Sequence, residues 1–185
     1  MKSALLIIDM QNDFVLPDSP NVIKGAYETI PTLQSVLERF RNSGAPIFHI
    51  VREYRSDGSD IEKFRYADFM AGNKYAVPGT DGCEIVKELQ PIDSEHRIVK
   101  KRFSGFMNTE LESMLQRLEV TDVVIAGIQY PNCIRATAFD AVAYGYNVYV
   151  LTDATSAKTE EVAEANIVDF ENIGIQCIKS SELHI

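Results

Sequence analysis

Short apolar segments alternate with amphipathic stretches along the chain. Ser3–Ile8 is a short apolar segment of the kind found in strands buried on both faces of a parallel sheet. Further strands are predicted in five places: 46–51, 97–100, 122–126, 146–151 and 175–178. Between the strands, apolar residues at helical spacing predict helices in five places: 31–43, 84–89, 109–118, 132–144 and 159–172.

Local signals mark some boundaries of these elements. Gly44 ends the first helix, and Thr109 together with Glu112 resembles a capping box at the start of a later one. The polar segment 52–73 is assigned to a loop with a short helical turn. Strands and helices alternate without a repeat or a linker. The sequence therefore predicts one domain over residues 1–185, a three-layer α/β/α arrangement around a mostly parallel, Rossmann-like sheet of six strands.

Composition narrows the class of protein. The chain has 185 residues, of which 45% are hydrophobic and 24% charged, values typical of a folded globular domain. Its longest apolar run, 4–8, is far shorter than the ~20 residues of a membrane span, and Asp9 follows too early for a signal peptide. The net charge of −9 disfavours binding to a nucleic-acid backbone. We therefore expect no membrane and no nucleic acid as a partner.

The cysteines indicate the cellular compartment. Cys83, Cys133 and Cys177 are odd in number and widely separated, and no Cys-x-x-Cys or Cys/His spacing indicates a zinc or iron–sulfur site. Unpaired cysteines are typical of a reducing compartment, so a cytoplasmic protein is expected. Cys83 and Cys177 are interpreted as structural residues.

Three chemically reactive residues follow strands of the predicted sheet. Asp9 follows the first strand, Lys100 ends the third, and Cys133 begins a helix after the fourth. Ligands of parallel sheets bind beyond the carboxyl ends of the strands, so these three side chains are expected at one edge of the sheet. A carboxylate can take the proton of a thiol and return it to a leaving amine, while a lysine charge favours the ionised forms of both.

Each of these residues also has an ordinary structural explanation. A cysteine at a helix start is often a small buried hydrophobe, and an aspartate after a strand is often a turn residue or a helix cap. A lysine at a strand end is often a solvated surface charge. The functional interpretation depends on all three occurring together.

Three ordered motifs that span nearly the whole chain resemble those of isochorismatase-like cysteine hydrolases. They are Asp9-Met10-Gln11-Asn12-Asp13-Phe14, Val99-Lys100-Lys101-Arg102-Phe103-Ser104-Gly105-Phe106, and Ala126-Gly127 with Cys133-Ile134-Arg135-Ala136-Thr137-Ala138. The resemblance implies a catalytic triad of Cys133, Asp9 and Lys100. Lys100 is preferred to Lys101 because the family's lysine usually lies six residues before the phenylalanine that matches Phe106. Neighbouring strand residues face opposite sides, so only one of the two lysines can face the site.

The resemblance also implies details of the loop before the cysteine. Family members typically have a non-proline cis peptide bond, which falls on Ile128–Gln129, and an oxyanion hole, which falls on the backbone N–H groups of Gln129 and Cys133. The sequence alone favours a different cis bond, Tyr130–Pro131, because bonds that precede proline adopt cis more readily. Tyr130 stands where the family commonly has threonine, so it is expected to narrow or alter the substrate pocket.

Metal binding is not expected. Nicotinamidases of this superfamily carry an Asp-x-His…His metal site after the second strand, whereas this chain reads Arg52-Glu53-Tyr54-Arg55-Ser56-Asp57 there, without a histidine. We therefore predict no metal and no cofactor, and nicotinamide is disfavoured as the substrate.

Further residues near the predicted edge are candidates for substrate binding. Phe14 and Phe106 are expected to line an apolar pocket, although packing in the core is equally compatible with their sequence positions. Arg52 and Tyr54 leave the second strand and could bind a carboxylate or a carbonyl, or could be solvated at the surface. His49 lies inside the second strand and is interpreted as a core histidine.

The predicted function is metal-independent hydrolysis of a small amide, carbamoyl or ureido C–N bond. Cys133 attacks the carbonyl, Asp9 moves the proton, Lys100 orients the site, and water hydrolyses the resulting thioester. Four alternatives are retained: isochorismatase-type cleavage of an enol ether, a Cys–His mechanism, a nucleotide-binding module, and a non-catalytic protein that binds a small molecule. The lack of a Gly-x-Gly-x-x-Gly or P-loop motif disfavours nucleotide binding. The family commonly forms dimers or tetramers, so a homo-oligomer is expected, and substrate specificity is assigned to segment 52–78 and Tyr130.

Overall fold

The computed structural model describes residues 2–184 and has one six-stranded sheet in that range. The strands are β1 (Ser3–Ile8), β2 (Ile47–Arg52), β3 (His96–Lys100), β4 (Asp122–Ile128), β5 (Asn147–Ser156) and β6 (Gln176–Ile178). Their order is β3-β2-β1-β4-β5-β6, and every neighbouring pair is parallel. The direction of winding reverses between β1 and β4, which is where open parallel sheets bind ligands. The predicted parallel α/β fold is confirmed.

Six α-helices lie in the described part of the chain. They are α1 (Asn12–Val15), α2 (Ile30–Ser43), α3 (Lys63–Met70), α4 (Leu111–Arg117), α5 (Arg135–Ala143) and α6 (Glu160–Asn172). Shorter turns are a π turn at Tyr130–Ile134 and 3₁₀ turns at Tyr27–Thr29, Asp81–Cys83, Lys87–Leu89 and Ser180–Glu182. Between residues 2 and 184, every helix is too short or too polar to span a bilayer.

The two faces of the sheet carry separate apolar cores, because successive strand residues point to opposite faces. On one face, Leu5 and Ile7 pack with the apolar side of α2. On the other face, Leu6 and Ile8 pack with residues of α4, α5 and α6. The sheet is therefore the middle of the three layers that the sequence pattern predicts.

Two predicted boundaries are wrong. Segment 52–73, predicted as a loop with a short helical turn, contains the eight-residue helix α3. The capping box at Thr109 forms only in part. The Thr109 hydroxyl accepts from Leu111 N at 3.3 Å and donates to Gly105 O at 2.5 Å, but the Glu112 carboxylate accepts from Gln116 and Tyr146, and the residue that caps α4 is Glu110. Both differences lie in connections that leave the carboxyl edge of the sheet.

The strands on the other half of the sheet are longer than predicted. β4 continues to Ile128 and β5 to Ser156, beyond the predicted ends at residues 126 and 151. The helix predicted from residue 132 begins later, at Arg135, because the π turn Tyr130–Ile134 precedes it. The five-residue turn changes which side chains of this segment face the edge of the sheet.

β1 and β4 approach each other closely at Gly127. This residue pairs with Ile8 and has a φ of 111°, and a Cβ at its position would lie only 2.3 Å from Ile8 O. Only glycine accommodates both the backbone conformation and the contact. The close approach brings Asp9, which follows β1, beside the loop that leads from β4 to Cys133.

Candidate active site

The structure brings Asp9, Lys100 and Cys133 together at the carboxyl edge of the sheet. Lys100 Nζ donates a hydrogen bond to Asp9 Oδ2 at 2.8 Å and lies 3.3 Å from Cys133 Sγ. The lysine side chain is 0% exposed, so its charge is balanced by the carboxylate rather than by water. Asp9 has a φ of 53°, a conformation that costs a non-glycine residue about 1–2 kcal/mol. Strained backbone of this kind is concentrated at functional sites.

The choice between the adjacent lysines agrees with strand alternation. Lys101 lies outside the cluster and pairs with Asp60 at 3.0 Å, with 41% of its side chain exposed. Lys100, by contrast, is the lysine that contacts both Asp9 and Cys133.

The electrostatics of the cluster favour a protonated thiol. Burial and the nearby Asp9 carboxylate raise the pKa of Cys133, while the charges of Lys100 and Arg52 oppose this rise. Asp9 Oδ1 is buried and has no hydrogen-bond partner among residues 2–184, so it is an available acceptor for a proton. The arrangement therefore pairs a neutral thiol with a carboxylate that can deprotonate it.

Arg52 is a second cation beside the sulfur. Its Nη2 lies 3.1 Å from Cys133 Sγ, and its Nε lies 4.0 Å from Asp9 Oδ2. Only 3% of the side chain is exposed, so the alternative of a solvated surface arginine is wrong. A guanidinium in this position stabilises negative charge on the sulfur or on a substrate oxygen.

A buried carboxylate and a phenol fix the orientation of Arg52. Arg52 Nη1 donates to Glu62 Oε1 at 2.9 Å and also to the Tyr54 hydroxyl. The Tyr54 hydroxyl in turn donates to Glu62 Oε2 at 2.5 Å. Although burial opposes it, hydrogen bonding to Tyr54 and the charge of Arg52 hold the pKa of Glu62 below its ordinary value. Tyr54 therefore acts on the site through Arg52, and its prediction as a direct substrate contact is wrong.

Gln11 connects the beginning of the loop after β1 to the end of β2. Its side-chain amide donates to Arg52 O at 2.9 Å and to Cys83 O at 2.8 Å, and its carbonyl accepts from Arg52 N at 2.8 Å. Sequence analysis did not single out Gln11 or Glu62. Gln11 lies within a motif that the resemblance covers, whereas Glu62 lies in a segment predicted as a loop.

A cavity of about 490 Å³ is lined by Cys133. Five residues predicted for the site line its wall: Asp9, Phe14, Arg52, Gln129 and Cys133. Arg65 and Tyr75 also line the cavity and lie in segment 52–78, to which substrate specificity was assigned without naming them. Other lining residues were not predicted, among them Asn21, Asn132 and Lys158. The volume is in the range of pockets that hold small organic ligands, roughly 300–1,000 Å³.

Two aromatic residues predicted to contact substrate lie outside this cavity. Tyr130 is buried in the core with its ring 6.1 Å from that of Phe170, so the prediction that it narrows the pocket is wrong. Phe106 packs on Tyr144 and Tyr146, with ring centroids 5.2 and 6.3 Å apart. Both belong to the core between the sheet and helices α4 to α6.

The loop before Cys133 has the cis peptide bond at the position that the resemblance implies. The bond Ile128–Gln129 is cis, and in residues 2–184 it is the only one. The bond Tyr130–Pro131, which the sequence alone favoured, is therefore trans. The assignment of the Gln129 and Cys133 N–H groups as an oxyanion hole stays a prediction.

The residues of the site do not fit a metal ion. Within the described range, 2–184, no group of three or more His, Cys, Asp or Glu side chains could hold a metal. The segment after β2, where nicotinamidases carry their metal motif, presents the Arg52 guanidinium and the Tyr54 hydroxyl. A fixed guanidinium repels a divalent cation at this point.

None of the three histidines, all of which are described, lines the cavity of the cysteine. His49 is buried in β2 and its Nε2 lies 2.8 Å from Glu95 Oε2, so its prediction as a core histidine is confirmed. His96 packs on the ring of Phe48 at 4.8 Å, and His184 lines a separate surface cavity. A Cys–His pair is therefore not formed.

Comparison with known proteins gives the family. The fold and the site define a parallel α/β protein with a buried cysteine at its ligand-binding edge. A family model described as the isochorismatase domain matches residues 3–182, and the chain belongs to the isochorismatase family. The family includes hydrolases that act on amides.

Individual relatives are similar over nearly the whole chain. A solved isochorismatase family protein from Desulfovibrio vulgaris is 48% identical, with a TM-score of 0.94 over 97% of this chain and 95% of its own. A protein of Arabidopsis thaliana named as a probable inactive nicotinamidase is 45% identical, covering 98% of this chain and 93% of the relative. The structure of N-carbamoylsarcosine amidase from Thermoplasma acidophilum is 26% identical, with a TM-score of 0.84 over 100% of both chains.

Proposed function

We propose that the protein is a cysteine-dependent, metal-independent hydrolase of a small amide, carbamoyl or ureido C–N bond. One observation carries the proposal. Cys133 Sγ lies within 3.3 Å of Lys100 Nζ and 3.1 Å of Arg52 Nη2, and Cys133 and Asp9 both line one cavity. A nucleophile, a base and two cations thus converge on one point that a small molecule can reach.

The first half of the reaction forms a thioester. Asp9 accepts the Cys133 proton as the sulfur attacks the carbonyl carbon of the substrate. The two electrons of the carbonyl π bond move to its oxygen, and the Gln129 and Cys133 N–H groups are the proposed donors to this oxyanion. The carbonyl re-forms as the C–N bond breaks, and the proton held by Asp9 leaves with ammonia or an amine.

The second half restores the enzyme. Asp9, again ionised, takes a proton from a water molecule as the water oxygen attacks the thioester carbonyl. The C–S bond breaks, the acid is released, and the proton returns from Asp9 to the sulfur. Lys100 holds Asp9 in place throughout, and the two cations at the sulfur stabilise the thiolate each time it forms.

We first predict that hydrolysis depends on one cysteine and on no metal. A panel of small primary amides and ureido acids is assayed for ammonia release by the protein and by Cys133→Ala. The substitution should lower turnover by about 10⁴-fold or more, because it removes the nucleophile. EDTA should have no effect. Cys177→Ala, at a half-buried cysteine outside the cavity, is the matched control and should keep its activity.

Two other functions make different predictions in the same experiment. Undiminished turnover by Cys133→Ala would contradict the mechanism. Enol-ether cleavage, which needs no cysteine nucleophile, releases no ammonia; it predicts no signal with this panel and equal turnover of an enol-ether substrate by the protein and by Cys133→Ala. A non-catalytic binding protein is favoured by the name of the Arabidopsis relative and by the raised pKa of Cys133. That function predicts no turnover of any substrate and no thioester on Cys133 in mass spectra of the incubated protein.

We also propose that the protein is a cytoplasmic homo-oligomer, a dimer or a tetramer. The three cysteines, all free in the structure, support a reducing compartment. The dimers and tetramers common in the family support an oligomer. Sedimentation velocity of the purified chain and cell fractionation address these two points.

A further inference from the structure

The wall of the cavity has a charge opposite to that of the whole protein. The chain carries a net charge of −9, yet three cations line the cavity: Arg52, Arg65 and Lys158. Among the described residues, the lining contains a single carboxylate, that of Asp9. Lys100 already neutralises this carboxylate through their 2.8 Å ion pair. The cavity is therefore electropositive within an acidic molecule.

Arg65, on α3, is held in a fixed orientation at this wall. Its Nη1 donates to the Tyr75 hydroxyl at 2.8 Å, and its guanidinium lies against the rings of Phe64 and Phe103, 4.8 and 5.7 Å from their centroids. Its Nε is buried and has no hydrogen-bond partner in residues 2–184. The side chain as a whole is 26% exposed, so the outer part of the guanidinium is accessible to a bound anion, with which it can form charge-assisted hydrogen bonds.

The carboxylate of Glu62 does not cancel the charge of Arg65. Glu62 Oε1 accepts from Arg52 at 2.9 Å, and Glu62 Oε2 accepts from Tyr54 at 2.5 Å. The distance from Glu62 Oε2 to Arg65 Nε is 3.5 Å, longer than either hydrogen bond. One carboxylate is thus shared between two guanidinium groups, which leaves one positive charge in excess.

Lys158 adds a further charge at the opposite connection of the sheet, between β5 and α6. It is exposed and has no ion pair with a carboxylate of the described residues. A lysine without a partner at the mouth of a cavity attracts anions from solution and adds to their binding.

We propose that the substrate is anionic: a small amide, carbamoyl or ureido compound that carries a carboxylate. Arg65 binds the carboxylate through its free donors, and Lys158 contributes charge at the entrance. The inference rests on the proposed function for the C–N bond at Cys133, and it adds the group at the other end of the substrate. A neutral amide has no charge to pair with Arg65 and Lys158, so it binds less well in the same cavity.

Matched substrate pairs test the proposal directly. N-carbamoylglycine is compared with isobutylurea, and succinamate with 4-methylpentanamide, because each pair differs by replacement of a carboxylate with an uncharged isopropyl group of similar size. Hydrogen bonds to a charged partner contribute about 1.5–3 kcal/mol, so kcat/KM should be about 10- to 100-fold higher for the acid of each pair. Equal values for acid and neutral partner would overturn the inference.

Substitutions show which residues cause the preference for the acid over the neutral substrate. Arg65→Gln should reduce the ratio of the kcat/KM values for acid and neutral substrate to within about threefold of one, and Lys158→Gln should reduce it by a smaller factor. Arg65→Lys retains the charge and should restore part of the ratio. Lys87→Gln removes an exposed lysine outside the cavity and should leave the ratio unchanged. If Arg65→Gln does not fold, Arg65→Met, which keeps an apolar stem against Phe64 and Phe103, replaces it, and an unchanged ratio in Arg65→Met and in Lys158→Gln contradicts the assignment.

Binding measurements distinguish a failure of this inference from a failure of the proposed function. Calorimetry with Cys133→Ala measures the affinity for N-carbamoylglycine and isobutylurea without turnover. Preferential binding of the acid that Arg65→Gln weakens supports the inference even if the unsubstituted protein hydrolyses nothing, a result that contradicts the proposed function alone. Cys133-dependent hydrolysis of acid and neutral substrates at equal rates supports the proposed function and rejects the inference. Absence of both preference and turnover rejects both.

Discussion

At the scale of single residues, the site consists of charges that compensate one another in a buried place. Lys100 has its Asp9 partner at 2.8 Å, and Arg52 has Glu62 at 2.9 Å. Removal of one member of such a pair leaves an uncompensated buried charge, which is far more costly than the loss of an exposed pair. The effects of substitutions should therefore differ sharply between the cluster and its immediate surroundings.

The adjacent lysines provide the clearest comparison. Lys100→Ala removes the cation that holds Asp9 and contacts the sulfur, so kcat should fall about 10³-fold or more, as should kcat of Asp9→Asn. Lys101→Ala removes an exposed ion pair with Asp60, and such pairs contribute about 0–1 kcal/mol to stability, so kcat should change less than about twofold. Both lysine variants are assayed side by side with one substrate. Loss of activity in Lys101→Ala together with retained activity in Lys100→Ala would show that Lys101, and not Lys100, is the lysine of the active site.

The second cation at the sulfur should be visible in the chemistry of the thiol. Arg52 lies 3.1 Å from Cys133 Sγ and lowers the pKa of the thiol against the effects of burial and Asp9. Arg52→Gln removes this charge, so the pKa must rise and the midpoint of alkylation by iodoacetamide should move to higher pH. Arg52→Lys keeps a charge and should shift the midpoint less. The rate at Cys133 is measured by mass spectrometry across pH.

The same experiment distinguishes an electrostatic role from a structural one. Arg52→Gln should also lower kcat/KM by about 10²-fold, the usual cost of losing one stabilising donor. Tyr54→Phe keeps the bond from Arg52 to Glu62 and should have a smaller effect on the midpoint. An unchanged midpoint in Arg52→Gln, with activity lost, would indicate that Arg52 only supports the fold.

At the scale of elements, the sequence predicts what depends on chain order and misses what depends on packing between distant segments. Asp9, Lys100 and Cys133 could be placed at one edge because each follows a buried strand, and parallel strands share their carboxyl edge. Helix α3 was missed because its apolar residues do not form one stripe: Phe69 is buried while Phe64 is largely exposed. Glu62 and Arg65, which α3 and its approach supply, lie in segment 52–78, to which specificity was assigned, but they could not be named without the helix.

The side-chain directions in the loop before α5 could also not be predicted from the sequence. The segment from residue 132 was predicted as ordinary helix, and Tyr130 was expected at the pocket. The π turn Tyr130–Ile134 instead directs the Tyr130 ring into the core and Cys133 to the cavity. A π turn has no reliable sequence signature, and such turns are frequent at functional sites.

At the scale of the whole molecule, a series of contacting charged and polar side chains stabilises the half of the sheet that carries Lys100. Glu95, in the loop before β3, accepts from Arg41 of α2 at 2.6 Å and lies 2.8 Å from His49 Nε2 on β2. His49 Nδ1 is buried without a partner in the described chain, so the neutral imidazole with its proton on Nε2 fits the site. Burial lowers the pKa of His49 below 6.5, although Glu95 partly opposes the shift.

This group makes the stability of the fold dependent on pH in a definite direction. Because the pKa of His49 is lowered by folding, the unfolded chain binds the proton first, and stability must fall as pH drops below about 6.5. Glu95 also has a lowered pKa, so its contribution is lost only below about 4.5. His49→Gln does not titrate and can still donate to Glu95, so its free energy of unfolding should decline less between pH 7.5 and 5.5. Urea unfolding at both pH values measures the difference, and His184→Gln, at an exposed histidine, is the control. An equal decline in the unsubstituted protein and in both variants would show that His49 does not cause the pH dependence.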